Sequence, residues 1–130
     1  MEIKTIGILG CGQMGSGIAE VAAKAGYEVM VCEVSDAALT AGLGKINKSL
    51  GKAVERGKLA AEVMEATLAR ISGTLHVADM ADCDIVIEAV FEDLATKQRV
   101  FGELDQLVKP EAILATNTSS ISIAAIAAAT

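Results

Sequence analysis

The chain has 130 residues, of which 52% are hydrophobic and only 2% aromatic, and its formal net charge is −6 at pH 7. This length suits one domain with an aliphatic core but is short for a complete two-domain enzyme. The acidic balance argues against nucleic acid or an anionic membrane as the main partner. We also find neither a basic and apolar leader nor an apolar run near the roughly 20 residues that span a membrane.

The first predicted element is a short apolar strand over residues 4–9 that leads into a glycine-rich turn and then a helix over 14–25. In dinucleotide-binding domains, the first glycine of a G-x-G-x-x-G turn permits a tight bend and the second lets backbone N–H groups approach the phosphates. The third glycine lets the helix pack closely on the strand. The residues predicted to bind a dinucleotide here are Gly10, Gly12, Gln13, Met14 and Gly15.

The helix after this turn has an amphipathic pattern, and Gly26 ends it as a left-handed cap. Met14 begins an apolar stripe along one helix face. The stripe continues through Ile18, Val21, Ala22 and Ala25.

A second strand, predicted over residues 28–32, ends at the acidic residue Glu33, which lies 18 residues beyond Gly15. A carboxylate at this place can accept hydrogen bonds from both hydroxyls of an adenosine ribose, and it repels a 2′-phosphate. No lysine or arginine follows in residues 34–36 to neutralise such a phosphate. The sequence therefore predicts an NAD site and not an NADP site. The alternative is an ordinary glycine turn followed by a solvated acid.

The longest connection predicts a helical arm after the second strand, with helices over 35–56 and 60–71 that are separated at Gly57. One face of the first helix is apolar and another is basic. The apolar residues are Leu39, Leu43, Ile46, Leu50 and Val54, and the basic stripe consists of Lys45, Lys48, Lys52 and Arg56. Residues 45–58 carry a charge of +4 in an acidic chain, so the stripe is either a solvated face or a site for a polyanion.

The remaining pattern alternates strands and helices, and Pro110 ends the fourth helix. Such alternation predicts an α/β fold with a doubly wound parallel sheet, the Rossmann arrangement, and helices on both faces. The expected strand order is 3-2-1-4-5, with the cofactor at the switch point between the first and fourth strands. The later strands are predicted over 74–77, 85–88 and 112–116, and the later helices over 94–108 and 120–128.

The cysteines and acidic clusters favour reduced thiols in a cytoplasmic protein and no metal site. Cys11, Cys32 and Cys83 have no C-x-x-C spacing. A helix N-terminus can lower the pKa of a thiol such as Cys11, but the turn uses backbone atoms there, so we interpret Cys11 as a spacer. The residues Asp79, Asp82, Asp84 and His76 lack calcium-loop spacing, and we predict that they are loop and cap residues.

Three sequence blocks carry a family resemblance that covers nearly the whole chain. They read GCGQMGSGIAEVAAKAGYEV, DIVIEAVFEDLATKQRVFGELD and AILATNTSSISI. Together they resemble the NAD-binding domain of the 3-hydroxyacyl-CoA dehydrogenases, especially the bacterial 3-hydroxybutyryl-CoA dehydrogenases. Many dehydrogenases share a block like the first, whereas the second and third are narrower and decide the assignment.

The resemblance implies roles for six further residues. Glu92 and Lys97 correspond to the acid and the lysine near the nicotinamide ribose of NAD. Ser119 corresponds to the catalytic serine that binds the cofactor end and hydrogen-bonds the C3 oxygen of an acyl-CoA substrate. Asn117 lies in the same cofactor-binding loop. Ser49 and Arg56 correspond to coenzyme A contacts on the helical arm, although Arg56 replaces a frequent lysine.

The chain also departs from the family. The family's general base is a histidine in an H-F-x-N-P motif, held by a later glutamate, and neither occurs here; His76 is the only histidine and falls in the predicted third strand. We therefore expect residues 1–130 to form an incomplete enzyme that lacks the C-terminal helical domain and is poorly active alone, while the full-length enzyme is a homo-oligomer. One alternative is a stand-alone NAD-binding module without chemistry. Another is a different dehydrogenase, for example one acting on hydroxyisobutyrate, which the second and third blocks disfavour.

Overall fold

A computed structural model of the chain describes residues 2–90, 93–118 and 121–130. The strands of these ranges form one fully parallel sheet in the order β3-β2-β1-β4-β5. This confirms the predicted doubly wound order, in which the chain reverses direction across the sheet between β1 and β4. The strands are β1 (Thr5–Leu9), β2 (Glu28–Cys32), β3 (Ile71–Thr74), β4 (Ile85–Glu88) and β5 (Ile113–Thr116).

The helices begin and end where local sequence chemistry dictates. The side chains of Ser35 and Asp93 accept hydrogen bonds from backbone N–H groups in the first turns of α2 and α4, contacts worth about 1 kcal/mol each. Gly57, with a φ of 70°, follows the end of α2. The helices are α1 (Gln13–Lys24), α2 (Asp36–Glu55), α3 (Ala61–Ala69), α4 (Leu94–Leu107) and α5 (Ile123–Ala127), with a short 3-10 helix at Val77–Asp82.

Alternate residues of the strands build two cores on opposite faces of the sheet, as the period of a strand requires. On one face, Ile8 and Val31 pack with α1 and α2 through residues such as Ile46. On the other face, Leu9 and Val86 pack with Leu104 of α4 and with the 3-10 helix. Helices therefore cover both faces of the sheet, as predicted.

The apolar stripe predicted on α1 is only partly buried, since Ile18 and Ala22 pack against the core while its other members are exposed. Met14 and Val21 are 59% and 66% exposed and line an open apolar groove of about 540 Å³. The residues buried against the sheet are small, namely Gly15, Ser16, Ala19 and Ala23. The helix approaches the end of β1 most closely at Gly15, where a Cβ would clash with the backbone of Gly10.

The third strand was predicted three residues too late. It spans Ile71–Thr74 and pairs with β2, so the predicted helix over 60–71 ends at Ala69 and the strand begins almost at once. His76 lies after the strand, directly before the 3-10 helix. The other elements match their predicted bounds within one residue, except α5, which begins at Ile123 instead of 120.

A carboxylate joins the amino end of β4 to two other segments. Asp84 Oδ2 accepts hydrogen bonds from the backbone N–H groups of Lys4 (2.7 Å) and Thr5 (3.0 Å), and Oδ1 pairs with Lys109 Nζ. The hydrogen bond from Lys109 and then the two backbone N–H groups hold the pKa of Asp84 well below its usual range. Asp84 therefore holds β4 against the start of β1 and the segment after α4.

Replacing Asp84 with asparagine should lower the melting temperature at pH 7. Because the folded-state pKa lies below the unfolded value, the ionised carboxylate stabilises the fold above about pH 4, and this stabilisation is lost as the pH falls toward the folded-state pKa. Thermal unfolding of the parent and the variant at pH 7 and at about pH 3 measures this stabilisation. The difference in melting temperature between parent and variant should shrink at the lower pH. Asp105→Asn, the same change on an exposed position of α4, is the control. Equal losses in the two variants would contradict this role.

Candidate dinucleotide-binding site

The turn between β1 and α1 brings three backbone segments into contact. Gly10 has a φ of 92°, and a Cβ on it would lie 2.6 Å from the carbonyl oxygen of Ala89. A Cβ on Gly15, in the first turn of α1, would lie 1.8 Å from the carbonyl oxygen of Gly10. The predicted conformational roles of the first and third glycines, a tight bend and a close helix, are therefore confirmed.

The second glycine leaves room in front of the helix. Gly12 is the N-cap of α1, and a Cβ on it would meet no atom within 4 Å. The first N–H groups of a helix have no partner inside it, and here the first turn carries no acidic residue. An anion is stabilised at such an N-terminus, where Gln13 and Met14 are also exposed. The pyrophosphate of NAD therefore fits this position.

Glu33 lies directly beyond β2 and is hydrogen-bonded toward the turn. Its Oε2 accepts from the backbone N–H of Cys11 (2.7 Å) and its Oε1 from that of Val34 (3.1 Å). An ionised carboxylate has about four acceptor positions, so both oxygens can accept further hydrogen bonds from ribose hydroxyls. The structure places Glu33 beside the glycine turn, and its ribose contact stays a prediction.

Cys11 packs between the turn and the helical arm. A Cβ on Gly42 of α2 would lie 2.4 Å from Cys11 Sγ, so this glycine makes room for the buried thiol. Burial, and then the charge of Glu33, raise the pKa of Cys11. Both effects oppose the lowered pKa that a helix N-terminus could give this thiol, and the packing agrees with the interpretation of Cys11 as a spacer. Burial likewise raises the pKa of Cys32 and of Cys83 to about 11.

On the other side of the turn, a buried ion pair lies at the carboxyl end of β4. Lys97 Nζ of α4 is 2.6 Å from Glu88 Oε2, and both side chains are within 1% of complete burial. Thr116 of β5 donates to Glu88 Oε1 (2.6 Å), and the N–H of Val90 donates to Oε2 (2.7 Å). Lys97 was predicted as a site residue, whereas Glu88 was missed. The only sequence signal for Glu88 is an acid that ends an apolar strand.

The predicted substrate end of the site is described in part. Asn117 follows β5, has an exposed side chain, and donates its backbone N–H to the carbonyl oxygen of Glu88 (2.9 Å). Glu92 and Ser119 lie outside the described residues, so their roles stay predictions. Asn117 and Glu33 both follow the carboxyl ends of strands and therefore lie on the same edge of the sheet.

The two predicted coenzyme A contacts lie at different heights on α2. Ser49 lines a pocket of about 180 Å³ between α1 and α2, together with Gln13 and Lys45. Arg56 is the exposed C-cap of α2, seven residues further, or about 10 Å along the helix axis. The basic stripe is exposed along its whole length, as an anion site requires.

Other candidate chemistry lies away from β4 and β5. His76 is exposed beyond β3, at the opposite side of the sheet from β4 and β5. Within the described ranges, no cluster of histidine, cysteine and acidic side chains is placed to hold a metal ion. The helices in these ranges are all too short or too polar to cross a membrane.

Comparison with known proteins places this geometry in one family. The family model described as 3-hydroxyacyl-CoA dehydrogenase, NAD binding domain, matches residues 5–130. A 3-hydroxybutyryl-CoA dehydrogenase of Mycobacterium tuberculosis is 50% identical over 129 residues, which are 98% of this chain and 45% of the relative. The chain thus spans less than half the length of this relative.

Solved structures agree with the sequence comparison. The crystal structure of M. tuberculosis FadB2 matches with a TM-score of 0.98 and 49% identity, covering 100% of this chain and 46% of that one. The (S)-3-hydroxybutyryl-CoA dehydrogenase PaaH1 of Ralstonia eutropha matches with a TM-score of 0.96 and 40% identity, covering 99% and 46%. The chain therefore belongs to the 3-hydroxyacyl-CoA dehydrogenase family, and it is the NAD-binding domain of that family.

Proposed function

We propose that this chain is the cofactor-binding part of an enzyme that transfers hydride between C3 of an (S)-3-hydroxyacyl-CoA, such as 3-hydroxybutyryl-CoA, and NAD. The observation that carries the proposal is the open helix N-terminus at Gly12, with Glu33 on one side and the Glu88–Lys97 pair on the other. This arrangement lies in a chain whose family is defined by NAD binding.

Each part of the dinucleotide has a counterpart among these residues. The first N–H groups of α1 stabilise the pyrophosphate, and Glu33 accepts hydrogen bonds from the hydroxyls of the adenosine ribose. By the family resemblance, Lys97 and Glu92 belong to the part of the site near the nicotinamide ribose. When bound, NAD supplies the hydride acceptor or donor of the reaction.

The loop after β5 supplies the groups that orient the substrate. Ser119 hydrogen-bonds the C3 oxygen of the acyl-CoA, and Asn117 belongs to the same loop. The described part of this loop follows β5 at the carboxyl edge of the sheet, where parallel-sheet domains bind their ligands. We assign no proton acceptor to this chain, because its only histidine, His76, is on the far side of β2 and β1.

The basic stripe of α2 binds the phosphates of coenzyme A. Ser49 and Lys45 line the pocket beside the glycine turn, and Lys52 and Arg56 continue the exposed stripe away from it. Arginine can bind phosphate through two parallel hydrogen bonds, so Arg56 is a suitable replacement for a lysine.

The proposal includes the cellular setting and assembly. Cys11, Cys32 and Cys83 are buried and unpaired, which supports a reducing, cytoplasmic environment. Homo-oligomerisation of the full-length enzyme and the lack of a nucleic-acid partner are expectations from the family resemblance and the net charge.

The chain should bind NADH much more tightly than NADPH. A 2′-phosphate would meet the Glu33 carboxylate, which two backbone N–H groups hold in place. Glu33→Gln removes the repulsion and should narrow the ratio of the two affinities, measured by nucleotide fluorescence titration. Equal affinities in the parent chain would refute this cofactor selection.

Gly12→Val should abolish binding of both nucleotides with an unchanged circular dichroism spectrum, because it fills the space in front of α1.

Reversing two charges of the basic stripe should weaken coenzyme A binding. Lys52→Glu combined with Arg56→Glu should raise the dissociation constant at least about tenfold, since hydrogen bonds between charged groups are lost. Calorimetric titration measures the change, and added salt should weaken the parent chain in the same direction. Lys24→Glu combined with Arg99→Glu makes the same change in net charge on other helices and is the control. If both double variants bind equally well, the stripe is a solvated face.

The chain alone should reduce acetoacetyl-CoA at a rate at least ~10²-fold below that of a full-length relative, because it lacks the contribution of a general acid–base group. Loss of NADH absorbance measures the rate, and His76→Ala should not change it. Fast turnover that disappears in His76→Ala would contradict this proposal. NADH binding with no turnover by the full-length protein would favour a module without chemistry.

A further inference from the structure

The family resemblance assigns no role to Glu88, although the structure gives it an unusual position. Glu88 and its partner Lys97 are both 0% exposed at the carboxyl end of β4. Removing two charges from water costs hydration energy that well-packed apolar residues of the same size would not lose. The ion pair is therefore weak evidence for stability alone, and a functional explanation is needed.

The carboxylate of Glu88 connects three elements of the fold. Its Oε2 binds Lys97 Nζ of α4 (2.6 Å) and the N–H of Val90 in the loop after β4 (2.7 Å). Its Oε1 accepts a hydrogen bond from the hydroxyl Oγ1 of Thr116 at the end of β5 (2.6 Å). One side chain thus bonds to α4, β5 and the loop after β4 at the same time.

The hydrogen bonds continue into the loop after β5. Thr116 Oγ1 accepts from the backbone N–H of Thr118 (3.2 Å), and Thr118 Oγ1 accepts from that of Ile121 (3.1 Å). The backbone carbonyl of Glu88 also accepts the N–H of Asn117 (2.9 Å). The loop that carries Asn117 is therefore bound both to the backbone carbonyl of Glu88 and, through Thr116, to the side chain of Glu88.

Glu88 also lies next to the glycine turn. The following residue, Ala89, donates its N–H to the carbonyl of Leu9 (2.8 Å), and its own carbonyl is what a Cβ on Gly10 would meet. Glu33 lies after β2, on the other side of β1. Glu88 is thus on the side of the turn opposite the adenosine end.

We propose that Glu88 is a positioning residue for the nicotinamide half of the cofactor site. It holds the ammonium group of Lys97 and, through Thr116, the loop after β5 in the arrangement that the nicotinamide riboside requires. Glu88 and Lys97 are both buried, so the role assigned to Glu88 is to fix the position of Lys97 and of this loop and not to contact the cofactor itself. This inference rests on the proposed function, because that proposal assigns Lys97 to the nicotinamide ribose.

Three ligands of increasing length test this assignment on the parent chain and on Glu88→Gln. ADP reaches only the adenosine and phosphate positions, ADP-ribose adds the second ribose, and NADH adds the nicotinamide. Glutamine keeps the size of Glu88 but loses its charge. We expect ADP affinity to stay within about twofold, while ADP-ribose and NADH bind at least about tenfold more weakly, the effect of losing one charged hydrogen bond.

Asp84→Asn is the matched control, because it makes the same chemical change in the ion pair at the amino end of the same strand. It should leave the three affinities in their parent ratio. If Glu88→Gln weakens the binding of ADP as strongly as that of NADH, or changes none of the three affinities, Glu88 has no positioning role. If the parent chain itself fails to bind NADH, the proposed function is wrong, which is a separate result.

A second pair of variants tests the inference without removing a buried charge, in case Glu88→Gln does not fold. Thr116→Val keeps the side-chain shape but removes the hydroxyl that Glu88 accepts, and Thr116→Ser keeps the hydroxyl. The valine variant should lower the affinity for NADH relative to the affinity for ADP, and the serine variant should restore the parent ratio of these affinities. Equal ratios in both variants would overturn the inference.

Discussion

The close approach of α1 to the end of β1 determines where a ligand can lie. A Cβ on Gly15 would be 1.8 Å from the carbonyl oxygen of Gly10, a distance that no side chain allows. Because the helix begins this close to the strand, its unpaired N–H groups lie at the carboxyl edge of the sheet. Gly10 in turn contacts the backbone of Ala89, so the same turn fixes the end of β4. The same turn thus lies between the end of β2, which Glu33 follows, and the end of β4, where Glu88 lies.

The two carboxylates beside this turn differ in what they do for the fold. Glu33 is half-buried and accepts backbone N–H groups, so its replacement should alter nucleotide selection with a small effect on stability. Glu88 pairs with a buried lysine, and removing one member of such a pair costs roughly 3–5 kcal/mol out of a total stability of about 5–15 kcal/mol. The fold therefore depends much more on Glu88 than on Glu33.

The sequence predicted the sheet order and the glycine turn because both depend on local patterns. Strands β2 and β4 have their predicted bounds, since branched apolar residues mark both, namely Val29 and Val31 in β2 and residues 85–87 in β4. The position of β3 was predicted wrongly because this edge strand pairs with β2 alone. It also contains Ser72 and Gly73, which give no alternating apolar signal. At such an edge, pairing with β2 determines the strand, and no local pattern records that pairing.

The parts that sequence reasoning missed depend on close contact in three dimensions. On α1, the larger apolar residues Met14 and Val21 are exposed, whereas the fully buried residues are small, such as Ala19 and Ala23. The size of the apolar residues therefore did not indicate which face of this helix is fully buried. The environment of Glu88 is hidden for a related reason, since its partners come from α4 and β5 and meet only after the sheet has formed. A glutamate at the end of an apolar strand looks like a solvated strand end until those two elements cover it.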